Sequence, residues 1–219
     1  MTYHCEAVLF DLDGTLVDST VACEDILRKW AIGHELDAEH IVRAAHGRRN
    51  LDVVRTFAPH LPAEQEAAWL DEQDLHYRDG IVAVRGAADV LAALPRANWA
   101  IVTSASKPVA RLRLECTGLP EPAVLITADQ VPRGKPAPDG YLAAAARLGA
   151  RPERCLVIED TLPGFEAGWN AGMQVLGITT TFSAAELNGA RCISDFTCLR
   201  IERGAEPGML TVKLTKASQ

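Results

Sequence analysis

Five short segments of this chain are almost wholly apolar: 7–10 (AVLF), 99–102 (WAIV), 124–126 (VLI), 155–158 (CLVI) and 174–178 (QVLGI). A strand with one wet face alternates polar and apolar residues. Unbroken apolar runs belong to strands covered on both faces, which are the strands of parallel sheets. Helical stretches lie between the runs. The one at 141–148 follows Pro136 and Pro138 and stops at Gly149, with prolines at its start and glycine at its end. Strand–helix alternation of this kind predicts an α/β fold, a doubly wound Rossmann-like parallel sheet.

One region breaks the alternation. From 17 to 81 no run reads as a strand. Asp18 or Ser19 can cap a helix in which Ala22, Ile26 and Trp30 recur at i, i+4 and i+8, and further helices are predicted at 38–45, 51–57 and 63–79. The expected organisation is a Rossmann-like core of 1–16 and 82–219 with a helical cap, 17–81, inserted after the first strand. An insert at that strand's C-terminal end overhangs the crevice where open α/β sheets bind ligands. The tail alternates at 198–203 and 209–214 around Gly204–Gly208, which predicts a hairpin.

Charge narrows the partners. Twenty-two Lys and Arg against 29 Asp and Glu leave −7, which argues against non-specific nucleic-acid binding. No apolar run approaches the ~18–20 residues of a membrane span, and the start MTYHCE has no basic segment leading into an apolar one. Cysteines 5, 23, 116, 155, 192 and 198 are scattered without a CxxC, so free thiols in a reducing cytoplasm are expected, with a monomer as the default.

Four polar signals punctuate the strands. Asp11 and Asp13, in Phe10-Asp11-Leu12-Asp13-Gly14-Thr15, stand where the first run ends, ~6–7 Å apart at Cα if the strand continues. Two carboxylates that close require a cation between them or a proton on one. Such a pair can attack an electrophile and pass protons, or simply cap the next helix. Thr103, Ser104 and Ala105 follow the second run, where hydroxyls and amides before a helix bind phosphate oxygens or serve as an N-cap. Lys135, in Gly134-Lys135-Pro136, can neutralise a phosphate and a carboxylate, or lie solvated. Glu159 and Asp160 end the fourth run and suit a hard cation such as Mg²⁺, or face solvent. Capping and solvation explain each signal alone. They do not explain why all four fall at or just beyond the C-terminal ends of strands.

With these motifs in this order, the sequence resembles the haloacid dehalogenase-like phosphohydrolases. The insert resembles the cap of their β-phosphoglucomutase-like branch. Ala45-His46-Gly47-Arg48-Arg49 and Gly134-Lys135-Pro136-Ala137-Pro138-Asp139 are similar to small sugar and polyol phosphatases of the hexitol-, 2-deoxyglucose-6- and glycerol-phosphate kinds. The resemblance implies that Asp11 forms an aspartyl-phosphate and that Asp13 protonates the leaving alcohol and then deprotonates water. It implies Mg²⁺ held by Asp11, the Asp13 main-chain carbonyl and Asp160, with Glu159 acting through water. It further implies that Ser104, beside Thr103, the Ala105 amide and Lys135 hold the phosphoryl oxygens. A small phosphorylated metabolite is the expected partner, and Glu24, His46, Arg48 and Arg49 are the expected cap residues that read it.

The resemblance leaves two alternatives. Mutases of this branch carry a histidine twelve residues after the nucleophile, where this chain has Cys23. Its absence favours hydrolysis over phosphoryl transfer between sugars. The other alternative is a catalytically silent binding protein on the same scaffold, which intact Asp11, Asp13, Lys135 and Asp160 argue against.

Overall fold

The computed structural model describes residues 1–215. The chain opens with β1 (Thr2–Cys5), β2 (Ala7–Phe10) and β3 (Val17–Asp18), then four helices, α1 (Thr20–Gly33), α2 (Ala38–Ala45), α3 (Asn50–Phe57) and α4 (Ala63–His76). It continues through β4 (Val82–Ala83), α5 (Ala87–Ala93), β5 (Trp99–Val102), α6 (Lys107–Thr117), β6 (Leu125–Ile126) and α7 (Asp139–Leu148). Then follow β7 (Cys155–Glu159), α8 (Leu162–Asn170), β8 (Gln174–Ile178), β9 (Cys192–Ile193), β10 (Leu199–Arg203) and β11 (Leu210–Leu214).

Six strands form a sheet in the order β6-β5-β2-β7-β8-β9, every neighbouring pair parallel. This is a doubly wound α/β fold. The five apolar runs are its first five strands in chain order. Their residues alternate between two cores. Val8 and Phe10 of β2 enter one hydrophobic cluster with Ile101, Ile158 and Phe196, whereas Ala7 and Leu9 enter another with Val102, Ile126 and Val157. That is why no polar residue interrupts them. β2 lies in the middle. The chain winds to one side of it through β5 and β6 and to the other through β7 to β9, so the crevice at the carboxyl ends beside β2 is the switch point where such folds place ligands.

Helices α1 to α4 bury a cluster of their own around Ile26, Trp30, Ile41, Val42, Val54 and Leu70. The chain leaves the sheet through β3 and returns through β4, and the two pair antiparallel, Val17 opposite Ala83 and Asp18 opposite Val82. This short pair places a strand inside 17–81, which the sequence pattern did not predict. Helix α4 stops at His76 rather than 79, because Tyr77 is already extended. Ser19 holds the N-cap position of α1 but makes no capping bond, its hydroxyl donating instead to Asp13 Oδ1 at 2.6 Å.

The tail hairpin forms as expected, β10 antiparallel to β11, and β1 adds a third strand with Tyr3 opposite Val212. All six cysteines are free. Among the described residues, no helix is long and apolar enough to cross a membrane.

Candidate active site

Asp11 follows β2 directly, and its amide donates to Ile158 O on β7 at 3.1 Å. The chain then turns sharply. Gly14 has φ +84°, and a Cβ there would stand 2.1 Å from Asp160 Oδ2, so both backbone conformation and space require glycine. The Lys135 ammonium donates to Asp11 Oδ1 and, at 2.5 Å, to Glu159 Oε1. Tyr141 on α7 also donates to Glu159 Oε1, at 3.2 Å. Glu159 Oε2 accepts from the amides of Asp160 and Thr161 at 2.8 and 3.0 Å and from the Thr161 hydroxyl at 3.1 Å. Five donors thus meet a carboxylate with about four lone-pair positions. Glu159 is a fixed anchor for Lys135, with both of its oxygens occupied by protein donors.

Burial alone would lower the Lys135 pKa, but Asp11 and Glu159 together carry it above the ordinary lysine value. The buried Asp11 carboxyl is pushed up by desolvation, with Glu159 and Asp160 adding to the rise and Lys135 opposing it. Desolvation, then the charge of Glu159, lifts Asp160 to about 8. Thr15 donates to Asp160 Oδ1 at 3.1 Å. Asp160 Oδ2 is sealed from solvent and finds no donor in hydrogen-bond geometry, although the Thr181 hydroxyl stands nearby and eases its charge. Asp11, Glu159 and Asp160 each bring an oxygen within 4.8 Å of the others, all three buried. Three buried acids face one lysine, an excess of negative charge, and Asp11 with the orphaned Asp160 oxygen offers the oxygen donors that a hard divalent cation takes.

Of these three acids, only Asp11 reaches the wall of the chamber between the sheet edge and the helical unit. The chamber holds about 90 Å³. Asp13, Thr103, Ser104 and Ala105 line it from the core, and on the other side His46 and Arg48 from the turn between α2 and α3, Asn50 from α3 and Asp74 from α4. Of the expected phosphate donors, Thr103, Ser104 and Ala105 face the chamber while Lys135 lies behind Asp11 and off its wall, and they are engaged within the protein. Ser104 Oγ donates to Gly47 O at 2.8 Å, and the Ala105 amide donates to Thr103 Oγ1 at 3.0 Å.

The four expected cap residues separate. His46 and Arg48 line the chamber, whereas Glu24 and Arg49 do not. Glu24 pairs with His46 Nε2 at 3.4 Å and with Arg28 at 3.6 Å. Burial lowers the His46 pKa against the pull of Glu24. Arg49 forks onto Asp52 at 2.6 and 3.0 Å and donates to Val131 O at 3.2 Å, which fixes the loop leading to Lys135. The guanidinium is thus paired within the protein and stands off the chamber wall.

Sequence reasoning missed Arg113 and Asp74. Arg113 Nε donates to Asp13 Oδ1 at 3.0 Å, and its NH2 donates to Asp74 Oδ1. A signal did exist. Arg113 falls four residues after Val109 and next to Leu114, on the buried stripe of α6.

Comparison with known proteins agrees with this geometry. A family profile described as haloacid dehalogenase-like hydrolase matches residues 5–172. Hexitol phosphatase A of Escherichia coli is 41% identical over 190 residues, covering 84% of this chain and 88% of that one. Glycerol-1-phosphate phosphohydrolase 2 of Saccharomyces cerevisiae is 34% identical over 204 residues, covering 88% and 82%. The crystal structure of CbbY from Rhodobacter sphaeroides in complex with phosphate superposes with a TM-score of 0.74 at 25% identity, covering 88% of this chain and 95% of that one.

Proposed function

Because the chain belongs to the haloacid dehalogenase-like hydrolases, and is a phosphoric monoester hydrolase, we propose that it cleaves small sugar or polyol phosphates through an aspartyl-phosphate on Asp11. One observation carries the reading. Asp11 alone among the buried acids is presented to the chamber, with Lys135 on its Oδ1 and Asp13 on the same wall.

In the first step an Asp11 carboxylate oxygen attacks phosphorus and the bond to the leaving oxygen breaks. Asp13 gives that oxygen a proton. In the second step Asp13 takes a proton from water, which attacks the phosphorus of the acyl phosphate and releases inorganic phosphate and Asp11. Lys135 and the Ser104 and Ala105 donors hold the transferring oxygens once released from their internal partners. Charge neutralisation and positioning are the main means of catalysing phosphoryl transfer. Asp11, Asp160 and the Asp13 main-chain carbonyl would hold Mg²⁺, which when bound supplies positive charge to the nucleophile and the transferring oxygens.

Residues 17–81 act in this reading as a cap. A chamber of about 90 Å³ is small beside the roughly 300–1,000 Å³ of ordinary ligand pockets. Substrate therefore enters with the cap raised and is read as it closes. His46 and Arg48 present donors to the far end of the substrate, with Glu24 orienting His46. Two named relatives, a hexitol phosphatase and a glycerol-1-phosphate phosphohydrolase, are the basis for proposing a hydroxylated substrate. The six free thiols fit a cytoplasmic enzyme, and a monomer is the working state.

The test is phosphate release, with Mg²⁺ present, across polyol, sugar and nucleotide monophosphates. Turnover of polyol or sugar esters above nucleotides is expected. Silence across the panel would favour a binding protein. Label passing from a bisphosphate to a monophosphate with little free phosphate would favour a mutase.

A further inference from the structure

The mechanism above makes no use of Arg113, the fully buried arginine of α6. Burying a guanidinium is costly unless its donors are met, and here partners come from three directions. Nε donates to Asp13 Oδ1 at 3.0 Å. NH2 donates to Asp74 Oδ1 on α4 and lies 3.8 Å from Cys23 Sγ on α1. NH1 lies 3.5 Å from Tyr77 O, just past α4. One rigid fork from the sheet domain thus ties two helices of the insert to the carboxylate of Asp13.

The geometry at Asp13 is one-sided. Both of its side-chain hydrogen bonds, from Arg113 and from Ser19 Oγ at 2.6 Å, fall on Oδ1. Oδ2 accepts from neither, and Asp13 is one of the residues that line the chamber. A salt bridge serving only to dock α4 would need Asp74 and no more. The arginine's planar donors instead fix two carboxylates at once.

We infer that Arg113 is a positioning residue for the proton transfer: docking of α4 through Asp74 sets the Arg113 fork, and the fork holds Asp13 by Oδ1 so that Oδ2 faces the leaving oxygen. The inference rests on the proposed role of Asp13. It links cap closure to the arming of the acid, so that a proton is presented only over an enclosed substrate.

The test exploits the leaving group. A p-nitrophenolate departs without a proton, whereas an alkoxide does not, and general-acid help is worth roughly 10²–10⁴-fold. The quantity to compare is kcat/KM, which reports the phosphoryl-transfer step, for glycerol phosphate and for p-nitrophenyl phosphate. Arg113→Met should lower the alkyl ester at least 10²-fold and the aryl ester less than tenfold, and Asp74→Asn should show the same asymmetry at about tenfold. Arg113→Lys, which keeps the charge without the fork, should restore only part of the alkyl rate. Equal losses on both esters for Arg113→Met would reduce the residue to a structural one and overturn the inference. Equal or no losses for Asp74→Asn would overturn the link to cap docking. If Arg113→Met does not fold by circular dichroism, the double variant Asp74→Asn, Arg113→Gln removes the buried charges together and is judged by the same asymmetry. Asp13→Asn separates the two levels of reasoning. If it too lowers both esters equally, the reading of Asp13 fails. If it is asymmetric while Arg113→Met is not, only the present inference fails.

Discussion

Replacing Gly164 by alanine sets two effects of opposite sign against each other. Gly164 lies in the first turn of α8 with no positive φ, a place where alanine ordinarily gains about 0.5–1 kcal/mol in helix propensity. Here the added Cβ would stand 1.7 Å from Glu159 Oε1 and 1.9 Å from Glu159 Cδ. A flexible carboxylate on the surface would step aside at little cost. Glu159 cannot, because it is fully buried and holds Lys135, Tyr141, two amides and the Thr161 hydroxyl. Losing even the two bonds at Oε1, at about 1.5–3 kcal/mol for each bond to a charged group, costs about 3–6 kcal/mol. The net expectation is a destabilisation of about 2–5 kcal/mol. Lys135 would lose one of its two carboxylates, and misplacement by about 1 Å in an active site costs on the order of 10²-fold in rate. Urea unfolding followed by tryptophan fluorescence measures the first number and phosphate release the second. Gly33→Ala is the internal control, since it also lies in a helix and its Cβ would meet nothing within 4 Å. It should gain up to about 1 kcal/mol. If Gly164→Ala behaves like Gly33→Ala in stability and turnover, Glu159 is not a rigid anchor and the account of Lys135 is wrong.

Asp11→Asn should lower turnover by at least about 10⁴-fold, the scale seen when a nucleophile acting within a unit is removed, with an unchanged circular dichroism spectrum; appreciable residual hydrolysis would remove Asp11 from its role. Chelation with EDTA should stop turnover, and Mg²⁺ at 100 times its Kd should add about 2.7 kcal/mol of stability, read as a rise in Tm that Asp160→Asn abolishes. In metal-free protein, Asp160 ionises only at about 8 when folded but near 3.9 when unfolded, so its charge works against the fold as pH climbs from about 4 to 8. Asp160→Asn should therefore gain stability relative to wild type across that window, and a constant difference between pH 5 and 8 in urea titrations with EDTA would refute the assignment. Arg48→Ala should change the order of preferred substrates, because Arg48 lines the chamber, whereas Arg49→Ala should weaken all substrates alike by loosening the loop before Lys135; the opposite pattern in kcat/KM across the panel would invert their roles.

The sheet was legible because burial on both faces leaves a mark in composition: β2, β5 and β8 occupy the residues of their apolar runs. Strand β9 left no mark, since two residues are too few to carry a period. Strand β1 did alternate, with Tyr3 and Cys5 buried between exposed neighbours, but over four residues the pattern is faint without the partner β11. Asp11, Asp13, Lys135 and Asp160 were legible as chemistry placed at strand ends. Their expected roles came only from the resemblance, and how each carboxylate is held was not legible. That Glu159 is saturated and Asp160 orphaned follows from which donors the fold brings within 3.1 Å, a property of packing rather than of order along the chain. Arg111 and Arg113 look equivalent in the string RLRLE, yet one pairs at the surface with Glu121 and the other is buried against Asp13. The buried stripe of α6 separates them only once its phase is fixed by Val109 and Ala110.

Asp11 and Asp13 stand two residues apart, and left to themselves they would repel and share a proton that belonged to neither. The two tasks proposed for them, nucleophile for Asp11 and proton carrier for Asp13, do not tolerate sharing. A nucleophile must remain an anion until it meets phosphorus, whereas a proton carrier must give and regain a proton in every turnover. The fold separates them by giving each its own cation from a different element, Lys135 from the loop before α7 to Asp11 and Arg113 from α6 to Asp13. The choice of cation follows the task. Lysine is a compact charge with three donors on a flexible stem, able to turn from a carboxylate toward incoming phosphoryl oxygens while Glu159 keeps hold of it. Arginine is a planar fork that fixes one oxygen of Asp13 and, in the proposed mechanism, leaves the other for the leaving group. Neither can replace the other. A fork at 135 would have to fit between two buried carboxylates and the ring of Tyr141, whose centroid lies 5.5 Å from the present ammonium. A lone ammonium at 113 could not span Asp13 and Asp74 with fixed geometry. The spacing of two aspartates in the sequence becomes a division of labour only through these two distant residues.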